Sequence, residues 1–190
     1  MNKKRLRQIL LGPAPWLLAT LLIAGIVHIA SILIMPRLAP NDPFARVAAL
    51  APLNKMTLLP ASAPGTEVLP FEDPAMAMGV CRFDLARGPV RLRTILTPNA
   101  LLLLSFHGRY GQTFYSMTDR GASRGRLEVV IATRDQLDEI ESRDSDEELP
   151  QELRLESPTL QGFVLLRALA ERPSLMSDAQ SRITSVSCEG

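Results

Sequence analysis

The sequence predicts a mainly β domain behind one N-terminal transmembrane helix. The domain is expected to be an antiparallel sandwich or rolled sheet with one or two short helices. Three observations carry this. Trp16 to Met35 is an uncharged apolar run in which Thr20, His28 and Ser31 are the only clearly polar members. From Val80 onward, apolar and polar residues alternate with period two, the pattern of half-buried strands. Gly, Pro and Asn punctuate these runs at the roughly 8–12-residue spacing of an all-β fold.

Composition bounds the function classes. A chain of 190 residues has room for one domain. Its 21 Lys+Arg nearly balance its 20 Asp+Glu, for a net charge of +1. That balance argues against a strongly basic nucleic-acid binder, and no nucleic-acid partner is expected. The apolar share of 46% is too high for a disordered chain. Two cysteines are too few for a disulfide-dense scaffold or a four-cysteine zinc site.

Residues 1–13 read as a basic cytoplasmic tail and residues 14–36 as the membrane helix. No charge occurs between Arg7 and Arg37. Twenty helical residues rise ~30 Å, the thickness of a bilayer core. The segment has no polar face, and Trp16 suits an interfacial anchor. Lys3, Lys4, Arg5 and Arg7 precede it, whereas Arg37 and Asp42 nearly cancel after it. The positive-inside rule puts the N-terminus in the cytoplasm and the rest outside, in a bacterium the periplasm. The lipid bilayer is thus the first expected partner. A cleaved signal peptide is the rival reading, with a secreted soluble domain as its product. It requires a shorter apolar region and a small-x-small site, and no Ala-x-Ala stands at Met35-Pro36-Arg37. His28 lies in the helix with no partner residue nearby.

Residues 37–70 are expected to be a proline-rich stalk. MPRLAPNDP and LPASAPGTEVLP cannot sustain a helix. Between them, Phe44 to Leu50 suits a short helix, with Asn41 or Asp42 as cap and Pro43 at the first position.

Residues 71–190 are assigned to the periplasmic β domain. Cys81, Phe83 and Leu85 alternate with Arg82 and Asp84, and a second strand runs from Val90 to Leu96. Gly88 stands where a tight turn needs a positive φ. Thr97-Pro98-Asn99 is the next turn. Ala100 to Phe106 is continuously apolar and reads as a central strand buried on both faces. Gln112 to Thr118 and Arg126 to Thr133 are the next strands, with a turn at Asp119-Arg120-Gly121 between them. Thr133 and Gln136 make a capping box that starts a helix from Arg134 to about Glu141. Gln151 to Glu156 and Gly162 to Leu169 are strand-like, and Pro173 opens a helix through Ile183.

Four groups of residues could carry chemistry. Cys81 and Cys188 lie on the oxidising side. Either they form a disulfide, or Cys81 is buried and Cys188 is exposed. No C-x-x-C is present to suggest redox catalysis. The acidic run from Asp135 to Glu152 lacks the glycine of a calcium loop and reads as solvated surface. Arg82, Arg87, Arg91, Arg93, Arg109, Arg120, Arg124 and Arg126 make a basic side. Arg91 and Arg93, opposite Val90 and Leu92, are expected to face solvent, open to an anion, a lipid head group or the acidic run itself. His107, Arg109 and Tyr110 are the candidate ligand-binding residues. His107 has the chemistry of a general base, but no Ser-His-Asp set can be assigned from residue order. Packing with a hydrogen-bonded hydroxyl is the default role for Tyr110 and Tyr115. The chain shows no G-x-S-x-G and no paired histidines at metal spacing. No catalytic residue, metal or cofactor is assigned.

Several of these residues resemble a known family. They are Phe71-Glu72-Asp73-Pro74, Val80-Cys81-Arg82-Phe83-Asp84-Leu85, Gly88-Pro89-Val90, Gly108-Arg109-Tyr110 and Phe114-Tyr115-Ser116 with Asp119-Arg120. Together they resemble a family of small bacterial membrane proteins, the domain of unknown function numbered 1254. The resemblance spans about residues 70–120. It implies an inner-membrane-anchored β domain beside a companion membrane protein of a related unknown-function family. It transfers no catalytic residue. The function expected is a binding or assembly module of the cell envelope. The alternative is an envelope enzyme or small-ligand binder using His107, Arg109 and Tyr110.

Overall fold

The computed structural model describes residues 12–38, 42–61, 63, 65, 67–69, 72–96, 101–122, 125–143 and 152–190. Expectations for the basic tail, Phe71, the Thr97–Asn99 turn, Arg124 and the stretch from Asp144 to Gln151 lie outside these residues. The chain divides into two compact units between Pro40 and Asn41.

The first unit contains helix α1 (Pro13–Leu38), whose apolar side chains are exposed around its whole circumference. Its stretch Pro13–Met35 is long and apolar enough to cross a membrane, as an anchor or a signal sequence. Its hydroxyls are satisfied internally: Thr20 Oγ1 donates to the Trp16 carbonyl and Ser31 Oγ to the Val27 carbonyl, at 2.8 and 2.7 Å. Such back-bonding hides polar groups that lipid would penalise.

The second unit is mainly β. Its strands are β1 (Thr57–Leu58), β2 (Met76–Asp84), β3 (Val90–Ile95), β4 (Leu102–Gly108), β5 (Thr113–Thr118), β6 (Arg126–Ala132), β7 (Leu153–Glu156), β8 (Gln161–Leu169) and β9 (Ser187–Glu189). Its helices are α2 (Pro43–Leu50), α3 (Arg134–Arg143) and α4 (Met176–Thr184). One sheet has the order β1-β2-β8-β4-β5 and the other β7-β6-β3-β9. Among the described residues, all pairings between these strands are antiparallel except β6–β7. Parallel neighbours need a crossover, and α3 lies within it.

Phe83, Leu92, Leu104, Phe106, Val129, Ile131 and Leu166 fill one core shared by the two sheets. Ala179 and Ile183 of α4 join that core. Glycine lets the layers close. A Cβ on Gly79 would collide with Ile183, and one on Gly162 would collide with the His107 carbonyl and the Phe83 ring.

Local signals emerged as read. Gly88 has φ +137°. Asp42 caps α2, its Oδ1 accepting from the Ala45 N–H at 2.6 Å, and Pro43 opens the helix. The Thr133–Gln136 box closes in both directions, at 3.0 and 3.3 Å. Pro173 opens a 3-10 turn that leads into α4.

Two readings are corrected. The expected stalk over residues 37–70 is not a free spacer. Phe44, Val47, Ala51, Leu59 and Leu69 are buried with Met78, Val80, Phe163 and Leu165 in a second core, on the outer face of the five-stranded sheet. Proline forbids a long helix here but not a packed strap. Leu53 bridges to Arg82, and β1 adds to the edge of β2. The strands buried on both faces are β2 and β8, not the Ala100–Phe106 run. In β4 buried and half-buried residues alternate, leaving Leu103, Ser105 and His107 half-buried on the outer face.

Replacing Gly162 with Ala is expected to destabilise the domain by ~1–3 kcal/mol or more, because backbone and an aromatic ring must both give way. Urea melts of the two proteins measure it. Phe44→Ala is expected to cost ~3–5 kcal/mol and to release the strap, read as protease cleavage within residues 42–61 before the rest of the domain.

Candidate functional site

His107, Arg109 and Tyr110 sit at the end of β4 and in the turn to β5. Gly108 and Gly111 close that turn: the Gly111 N–H donates to the Gly108 carbonyl at 3.0 Å. Gly111 has φ +80°, a conformation that glycine adopts without a Cβ penalty. A bulge shifts the β4–β5 register between Phe106 and His107. Bulges re-aim a side chain, and this one stands where the imidazole leaves the strand.

Both imidazole nitrogens are engaged. Nδ1 lies 3.0 Å from the Gly111 carbonyl and 3.2 Å from Thr113 Oγ1. A carbonyl only accepts, so Nδ1 carries the proton. Nε2 then accepts from Ser105 Oγ at 2.9 Å. The ring lies flat on Phe163, with centroids 4.8 Å apart and planes 8° from parallel. Burial is the main influence lowering the His107 pKa below the ordinary histidine value. The Gly111 hydrogen bond opposes that shift, and the charge of Arg167 adds to it.

Arg109 turns the other way. Its Nη1 pairs with Asp42 Oδ2 at 2.7 Å, and its guanidinium lies 4.3 Å from the centre of the Phe44 ring. Its N–H donates to Thr159 Oγ1 at 3.0 Å. Arg109 thus clamps the start of the strap onto the sheet. Arg82 grips the same strap, its Nη1 donating to the Ala48 and Ala51 carbonyls at 3.3 and 3.0 Å, around the C-terminus of α2. Burial and then the nearby Arg109 lower the Arg82 pKa. Tyr110 is 52% exposed and Tyr115 38% exposed, so neither is a core residue. Tyr115 flanks Phe106 at 6.0 Å.

The three candidate residues therefore do not converge. His107 faces Ser105 and Arg109 faces Asp42. Ser105, Asp42 and Phe44 were not among the candidate residues. The i, i+2 spacing of Ser105 and His107 on a strand was the available signal, but their run reads as buried on both sides. Nothing in the sequence pairs Asp42 with Arg109 across 67 positions.

The basic side is mostly spent internally. Arg91 pairs with Glu152 at 3.1 Å and Arg93 with Glu128 at 2.6 Å. Glu152 also accepts from Arg154 at 3.0 Å. The end of the acidic run is thus a partner of Arg91. Cys81 and Cys188 form a disulfide between β2 and β9, with Cα atoms 6.5 Å apart. A bond of this kind points to an oxidising compartment.

No family profile matches this chain, and no curated protein matches it. Solved structures are similar to part of it. A crystal structure of a Vibrio parahaemolyticus protein matches with TM-score 0.52 at 13% identity, over 81% of this chain and 36% of its own. An uncharacterised Burkholderia cenocepacia protein matches with TM-score 0.45 at 10% identity, over 76% of this chain and 36% of its own. This chain spans about a third of the length of either. The first likeness is one of fold alone.

The lowered His107 pKa has a sign that can be tested. The folded state holds the imidazole neutral where the unfolded chain, with a pKa of about 6.5, begins to take a proton. Stability should therefore fall as pH drops below about 6.5, down to the depressed folded-state pKa. Melting temperatures across this window should decline for the parent protein and stay flat for His107→Gln. The chain has two histidines, and the other, His28, lies in α1.

Proposed function

We propose that this protein is a single-pass inner-membrane protein with a cytoplasmic N-terminus. Its periplasmic β domain serves as a binding or assembly module for a companion membrane protein. The helix α1 and the disulfide support the location. The companion is what the resemblance over residues 70–120 to the unknown-function family numbered 1254 implies.

One observation carries the binding role: the edge of β5, which no strand among the described residues pairs. The other outer strands are short, with β1, β7 and β9 having 2, 4 and 3 residues. β5 has 6 residues, Thr113-Phe114-Tyr115-Ser116-Met117-Thr118. It contains no charge and no proline, the devices that usually blunt an edge. An incoming strand would meet an unguarded ladder there, with Tyr115 beside it.

The test is crosslinking and pull-down of the full-length protein from native membranes. A specific membrane protein at near-equal amount is expected. Ser116→Lys puts a charge on the exposed edge and should cut that recovery about tenfold or more, a loss of ~1.4 kcal/mol or more. Recovery of the protein alone would reject the assembly role.

A further inference from the structure

We propose that Ser105 and His107 are a nucleophile–base pair that cleaves esters reaching the outer face of the five-stranded sheet. This goes beyond the binding role and rests on none of its observations.

The geometry meets the requirements for an activated hydroxyl. Ser105 Oγ is 2.9 Å from His107 Nε2, within the reach needed for proton transfer. The base is itself oriented, by the Gly111 carbonyl on Nδ1 and by the Phe163 ring beneath it. In a triad a carboxylate performs that orientation, and here a backbone carbonyl does so. The bulge at Phe106/His107 and the positive φ of Gly111 together bring the carbonyl back to the ring. Burial keeps the imidazole neutral and able to take a proton.

The surroundings suit a reacting centre at the margin of a cover. Ser105 pairs on one side with Leu165, which the strap buries, and on the other with the exposed Ser116. Arg167 follows Leu165 by two residues on β8, on the same sheet face. Its positive charge adds to the influences that lower the His107 pKa.

The chemistry balances without a cofactor. Ser105 Oγ bonds to the ester carbonyl carbon as its proton passes to His107 Nε2. The carbon–alkoxide bond breaks, and the leaving alcohol takes the proton from Nε2. Water then attacks the acyl carbon as one of its protons passes to Nε2; the acyl carbon–Oγ bond breaks, Oγ takes that proton back from Nε2, and the acid leaves with the Ser105 hydroxyl and neutral His107 restored.

The probe is a small fluorophosphonate applied to the full-length protein in detergent micelles, read by intact mass and peptide mapping. One adduct at Ser105, with fluoride lost, is expected. Ser105→Ala should abolish it, and His107→Gln should slow it by about 100-fold or more. Ser174→Ala, at an exposed serine in the turn before α4, should label like the parent. Urea unfolding of the parent disassembles the pair without any substitution and should also abolish labelling. The proposal is overturned by no adduct on the folded parent, by an adduct mapping elsewhere, by a Ser105 rate unchanged in folded His107→Gln, or by labelling that survives urea.

Discussion

Strand β8 is buried on both faces, and a strand with two buried faces needs two covers. The second sheet covers one face through Val164 and Leu166. The strap from Asp42 to Leu59 covers the other, over Phe163 and Leu165. Without the strap, a patch of Met78, Val80, Phe163 and Leu165 would meet water at ~25 cal/mol per Å². The residues after α1 are therefore part of the domain's stability, not a passive link to it.

That double cover also places the polar residues. Phe44 is the strap's anchor. Its ring lies beneath the Arg109 guanidinium and 6.5 Å from Phe163, and Phe163 in turn stacks on His107. A column runs from the strap through β8 to β4. His107 is half-buried because it stands at the column's end, where the cover stops. Ser105, one pleat back, shares that margin. The site is a by-product of incomplete coverage, since a strap reaching β5 would bury both side chains.

Much of the scaffold was legible because its signals are local. The Asp42 cap, the Thr133–Gln136 box, the Gly88 turn and the alternation in β3 each depend on neighbours in sequence. What was hidden depends on distant partners. β1 and β9, of 2 and 3 residues, are strands only because β2 and β3 lie beside them. ALLLLSF reads as doubly buried, yet its outer face lies beyond the strap and includes Ser105. The strap itself reads as a spacer because proline density reports the absence of long helices, not of packing. At the site, the residue types were visible, but their directions were not. Arg109 points to Asp42 because the fold brings the two together.

The disulfide has a mechanical meaning. Cys81 and Cys188 are 107 positions apart, so the bond closes most of the domain into one covalent loop. A pull applied through α1 reaches that loop at Cys81 and passes across sulfur to Cys188. Only the residues before Cys81 and after Cys188 can then be drawn out, at about 3.5 Å each. Ser105 and His107 lie inside the loop, while Asp42 and Phe44 lie outside it. Tension applied from the N-terminal side would strip the strap first, baring Phe163 and the far side of the column, while the strands that hold Ser105 and His107 stayed intact.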